Sequence, residues 1–232
     1  MANSVRLTVA AWLVALAPGA AAETNGVYHP YVNENERELE YALVRRGTGD
    51  AALTLQRASV GYGWSDRFAT ELYLLNEFSS HDDVRVRSYE LEARWQLTEQ
   101  GEYASDWGLL VEAGIGNGID RHEVAAGLLW EKELGHRWVA AANALVEYEF
   151  GTDISNEFET AFRAQLRHLH SPGFEPALEI YLDDIEHAAG PAASGVVRLA
   201  PGRQVRWEFG FYFGLDSRTP STISRLGLEL EF

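Results

Sequence analysis

Thirty-five acidic side chains against nineteen basic ones, many of them two positions apart, are the chemistry that this 232-residue sequence offers most plainly. Glu90, Glu92 and Arg94 form one such series, and Glu147 with Glu149 another. Glu157, Glu159, Arg163 and Arg167 form a third, and Arg206 with Glu208 a fourth. Groups at that spacing stand on one side of an extended chain, where they pair with one another or concentrate cations. Hydrolytic chemistry would need a serine and a histidine within hydrogen-bond reach, with a polar orienting group. His168 with Ser171, His122, and His81 beside Asp82 and Asp83 are the candidates. Their spacing sets no nucleophile and base on a shared face, so no enzyme is expected, and a lipid-modifying hydrolase is the weakest of the readings. His168 and His170 are the only close histidine pair, and Asp82-Asp83 and Asp183-Asp184 are acids that solvent accounts for. With no cysteine there is no thiolate nucleophile and no cysteine-held metal. Neither a metal nor a cofactor is expected. A net charge of −16 excludes nucleic acid as a partner, because a phosphate backbone needs a basic stripe.

The elements that position these groups begin with an export signal. Residues 1–22 hold Arg6, an apolar run from Leu7 to Ala17, and small residues Ala20-Ala21-Ala22 at a cleavage point. Beyond it, apolar and polar residues alternate almost everywhere, the period of a strand. Tyr89, Leu91, Ala93, Trp95 and Leu97 alternate with Glu90, Glu92, Arg94 and Gln96. Val205, Trp207, Phe209, Phe211 and Phe213 do the same with Arg206, Glu208, Gly210 and Tyr212. Such segments number about twelve, between ten and fourteen, each near the ~9–11 residues that cross a bilayer as a tilted strand. Short turns such as Ser65-Asp66, Gly135-His136, Ser171-Pro172-Gly173 and Pro201-Gly202 separate them at one end. Longer polar connections, among them FSSHDD, GNGIDR, GTDISN and DDIEHAAGPAA, separate them at the other. The fold class is all-β.

Alternation alone does not say which face is inside. Three features choose. Trp64, Trp95, Trp107, Trp130, Trp138 and Trp207 all lie on the apolar set near the short-turn end, the level at which a membrane–water interface holds indoles. Phe78, Tyr89, Tyr148, Phe150, Phe158 and Phe213 supply a girdle at the far end. The opposite set carries Glu, Arg, Gln and Asn interleaved with Gly and Ala, which suits a narrow polar lumen. The chain stops on an apolar-face aromatic, Phe232, after Leu226, Leu228 and Leu230. In that last strand, and in architecture over the whole exported chain, the sequence resembles the Gram-negative outer-membrane β-barrel proteins of small porin-like class. The resemblance implies a single antiparallel up-and-down transmembrane β-barrel over 36–232, exported to the bacterial outer membrane. It also implies that Phe232 is read by the barrel-assembly machinery and that lipid and lipopolysaccharide surround the wall. Arg85 and Arg87 fall on the lipid-facing parity at the outer end, where lipopolysaccharide phosphates would meet them.

The lumen and its mouth are then lined by Glu90, Glu92, Arg94, Glu112, Glu123, Glu147, Glu149, Glu157, Glu159, Arg163, Arg167, Glu179, Asp183, Arg206 and Glu208. Acids in excess favour a small diffusion channel for cations or small cationic solutes. The alternative is a closed structural barrel without transport, its carboxylates and guanidiniums forming a ladder that fills the bore. Residues 23–35, which include Tyr28, His29, Pro30 and Tyr31, are a periplasmic leader or a partial plug.

Overall fold

The computed structural model describes residues 26–47, 52–79, 85–184 and 186–232, without the side chains of Phe78 and Ser79. The export-signal reading, His81, Asp82, Asp83 and the Phe78 ring lie outside the described residues. Twelve strands follow one another: β1 Arg37–Arg46, β2 Leu53–Gly63, β3 Phe68–Ser79, β4 Arg85–Gln96, β5 Asp106–Gly116 and β6 His122–Glu133. The second half comprises β7 Trp138–Phe150, β8 Glu157–His168, β9 Glu175–Asp183, β10 His187–Ala200, β11 Arg203–Gly214 and β12 Thr222–Glu231. Each pairs antiparallel with its sequence neighbours, and β12 returns to pair with β1, so the sheet closes into a barrel. Closure leaves no unpaired edge, the condition for a sheet that meets an apolar solvent.

Register converts alternation into two surfaces, because residues directly opposite in a ladder point the same way. Leu91 of β4 stands between Leu72 and Ala113, all on the outside; Glu92 stands between Glu71 and Glu112, all on the inside. Leu91 is 53% exposed and Glu92 only 1%. Leucine, valine and phenylalanine are exposed around the whole outer wall, while the buried set is rich in Glu, Arg and Tyr. A water-soluble barrel would show the reverse. The start of β1 and the last residue sit at the same end of the barrel, where Arg37 and Phe232 exchange backbone hydrogen bonds of 3.1 and 3.0 Å.

Two local departures from the sequence pattern have physical causes. The β3–β4 ladder shifts register between Leu75 and Asn76, a bulge that places Arg87 beyond the simple alternation. Arg87 is therefore turned to Glu77, at 3.0 Å, and not to the lipid side as its parity suggests. The stretch 187–191, expected as a long connection, is the start of β10, and the connection shrinks to residues 184–186. Its alanines, glycine and proline carry no alternation because the bore behind them is occupied by tyrosines, leaving room only for small side chains such as Ala188 and Ala192.

Candidate functional site

The inside of the barrel has three levels. At the mouth on the long-loop side, Glu123 faces Glu149 across β6–β7, and Glu147 faces Glu159 across β7–β8. The carboxylates of Glu90, Glu112 and Glu123 come within 4.8 Å of one another, as do those of Glu123, Glu147 and Glu149. These are the places, among the described residues, where acids approach closely enough to share a cation. Arg121, from the preceding loop, donates to Glu123 at 2.8 Å and to Glu149 at 2.6 Å and offsets part of the repulsion. Asp183 and the exposed Glu157 complete the rim. In the loops above, burial raises the pKa of the Glu186 carboxyl against the opposing pull of Arg46, 3.3 Å away. Asp216 is instead pushed down to about 2, chiefly by hydrogen bonds from the Thr219 backbone and hydroxyl. Thr152 hydrogen bonds lower the Asp120 carboxyl in the same way.

Below the mouth lies a belt of side chains that meet across the bore. Arg225 of β12 reaches Glu179 of β9 at 3.1 Å and Glu208 of β11 at 3.5 Å, and also donates to the Tyr181 hydroxyl. Glu179 in turn accepts from Tyr181 at 2.5 Å, Tyr212 at 2.6 Å and Gln165 at 2.7 Å. Val27, Val44, Leu55, Ala188 and Ile223 pack into the same cluster. On the facing wall the Arg57 guanidinium lies 4.3 Å over the Tyr73 ring and pairs with Glu40 at 3.3 Å. Arg94 pairs with Glu92 at 2.8 Å. Leu110 and Leu129 point inward as well, at 1% and 0% exposure. Arg225, Glu179, Tyr73, Leu110 and Leu129 expose almost no surface, whereas Glu40, Arg94 and Glu208 keep part of theirs towards the cavity, so the bore is narrowed at this level.

The third level, towards the short-connection end, holds residues 26–35. The Tyr28 N–H donates to Asn143 Oδ1 at 2.8 Å, and Asn143 Nδ2 donates to the Tyr28 carbonyl at 2.9 Å. Arg163 reaches the Gly26 carbonyl at 3.4 Å, and the Val32 N–H donates to Gln96 at 2.8 Å. His29 pairs with Glu131, and the Tyr31 hydroxyl contacts Asp106 at 2.9 Å and Glu131 at 3.0 Å. Glycines make the passage: a Cβ on Gly108 would lie 3.0 Å from Pro30, and one on Gly63 would lie 1.9 Å from the Asn33 carbonyl oxygen. Beside the segment is a cavity of about 400 Å³, lined by eight glutamates, including Glu38, Glu229 and Glu231, against four arginines. A second, of about 480 Å³, opens between Arg167, Glu175 and Arg206.

Of the lumen residues expected from the sequence, Glu90, Glu92, Glu123, Glu149 and Glu179 are buried and Glu157 is exposed, at levels that the alternation does not distinguish. Arg57, Glu71, Tyr73, Arg121, Glu131, Asn143, Tyr181, Tyr212 and Arg225 were not singled out by sequence. They share the parity of the named acids, and that is the signal that could have found them; tyrosine fits either face, so the pattern alone passes it over. Trp64, Trp95, Trp107, Trp130, Trp138 and Trp207 lie on the outer wall towards the short connections, with Trp107 directly opposite Trp130. The Trp64 and Trp107 indole N–H groups find partners in Thr70 and Ser105. His168 packs edge-on against Trp138, at 4.7 Å between rings.

No protein-family model and no curated protein matches the chain. Solved structures do. An outer-membrane channel from Pseudomonas putida F1 is similar over 90% of this chain and 99% of its own, with a TM-score of 0.61 and 14% identity. The KdgM porin, solved in complex with disordered oligogalacturonate, is similar over 84% and 99%, with a TM-score of 0.58 and 9% identity. The NanC porin is similar over 84% and 98%, at 0.56 and 11%. At these identities the likeness is one of fold: the chain is an outer-membrane type of β-barrel.

Proposed function

We propose that the chain is a narrow diffusion channel of the bacterial outer membrane that favours cations or small cationic solutes, with residues 26–35 as its plug. The observation that carries this reading is the excess of carboxylates over guanidiniums around the 400 Å³ cavity. Within low-dielectric walls that excess raises the local concentration of cations and repels anions. The acids of the outer mouth repeat the same sign at the other end. The fold shared with outer-membrane channels supports a role in transport. Residues 1–22 serve as the cleavable export signal, Phe232 as the signal to the assembly machinery, and the indole level faces the periplasmic interface.

The test is conductance in a planar bilayer, with reversal potentials measured across a potassium chloride gradient. Small, cation-selective conductance is expected for the full chain, and anion selectivity would refute the proposal. The belt at Arg225, Tyr181, Tyr212 and Leu129 favours a second reading, a closed barrel that stiffens the membrane and carries nothing. Absence of conductance in both the full chain and a variant with a weakened plug contact would establish that reading instead.

A further inference from the structure

The segment inside the bore is held by its main chain as well as by its side chains. Asn143, 1% exposed, gives both halves of its carboxamide to the two main-chain groups of one residue, Tyr28. Gln96 takes the main-chain N–H of Val32, and Arg163 takes the main-chain carbonyl of Gly26. The residues are contributed by β4, β7 and β8, so the rigid wall, not a loop, sets their spacing. An amide that satisfies the backbone N–H and C=O of one residue together reads the two peptide links that flank it and is indifferent to that residue's side chain. Side chains are read as well: His29 against Glu131, the Tyr31 hydroxyl against Asp106 and Glu131, the Tyr28 ring between the Arg94 and Arg163 guanidiniums, and Val27 in the apolar cluster.

We infer that this wall is a peptide-binding groove, occupied here by the chain's own residues 26–32. The ligands that replace them are short peptides, with a hydrogen-bond-donating side chain such as His or Tyr set against Glu131 and Asp106. The inference rests on the plug reading, since a fixed segment would never vacate the groove, and it narrows the cationic solutes of that reading to peptides. A withdrawn segment leaves Asn143 with a donor and an acceptor that the N–H and C=O of one residue in another peptide can satisfy. Simple ions do not offer that pair.

The chain contains no cysteine, so Val27→Cys gives the protein a single thiol, on the docked segment itself and buried in the bore. Its reaction with a membrane-impermeant thiol reagent is followed with and without acetyl-Val-Tyr-His-Pro-Tyr-Val-amide. A tethered segment competes at an effective concentration on the order of millimolar, so ~10 mM peptide should displace most of the segments and raise the labelling rate towards that of a free thiol. The same peptide N-methylated at its first tyrosine, unable to donate to Asn143, should not. The inference is overturned if the peptide leaves the rate unchanged while Asn143→Ala raises it, for then the segment leaves and nothing takes its place. It is equally overturned if neither raises the rate, because the amide contacts then do not hold the segment; conductance still judges the plug reading separately. Rapid labelling without peptide would refute the docked segment and the plug together. Heat-modifiable gel mobility confirms that each variant forms the barrel.

Discussion

Arg225 is the side chain through which a dry bore and a wet one can be told apart. Its guanidinium is 4% exposed, and its partner Glu179 is buried with it. Replacing it by Met keeps much of the volume but strands the Glu179 carboxylate among Tyr181, Tyr212 and Gln165, whose hydrogen bonds remain but carry no positive charge. Breaking a buried pair in this way costs about 3–5 kcal/mol, whereas an ion pair bathed in water is worth about 0–1 kcal/mol. At about 1.4 kcal/mol per factor of ten, the dry case shifts the unfolding constant by roughly two to three and a half powers of ten. Adding Glu179→Gln to Arg225→Met removes the stranded charge and should recover most of the loss, since a neutral amide keeps hydrogen bonds with the tyrosines. The assay is urea unfolding of the protein in lipid vesicles, read by tryptophan fluorescence. The filled belt is refuted by a loss of 1 kcal/mol or less for Arg225→Met with no recovery in the double variant. Water would then reach the pair, and the bore would be open at that height.

Other expectations test the remaining surfaces. Leu91→Arg, on the outer wall near the middle of β4, should cost about 2–4 kcal/mol in a bilayer despite the exposure of the site, where a water-facing position would cost almost nothing. Brominated lipids carrying the label near the headgroup should quench the tryptophan fluorescence more strongly than lipids labelled at the chain end, and the reverse order would remove the indoles from the interface. Because the folded Asp216 carboxyl lies at about 2, below the ~3.9 of an unfolded aspartate, its contribution to the loop is complete above that value. It is lost as the pH falls through about 2. Protection of the Thr219 amide relative to its intrinsic exchange rate should therefore fall only over that acid interval, and a fall already at pH 5 would contradict it. Glu123→Gln with Glu149→Gln should lower the cation preference of the conductance without abolishing it, because Glu90, Glu112 and Glu147 keep the mouth negative.

Sequence by itself determines the wall. Tyr89 to Leu97 alternates with Glu90 to Gln96 because an extended backbone sends successive side chains to opposite sides, a purely local rule. Turns between successive strands, mostly short after every second one although residues 97–105 break that scheme, then point to the antiparallel order. The excess of glutamate on the inner parity is likewise a matter of counting. What fills the centre is decided only by the closed barrel, because the distance across it depends on strand number and stagger together. That geometry sets Arg225 against Glu179, more than forty residues away, and brings Leu110 and Leu129 inward beside glycines. It also places residues 26–35 against Asn143, Gln96 and Arg163, since a segment without alternation carries no local mark of its destination. A single bulge at Leu75 redirects Arg87, as one extra residue reverses every later parity. Local periodicity fixes which side a residue faces, and closure fixes whom it meets there.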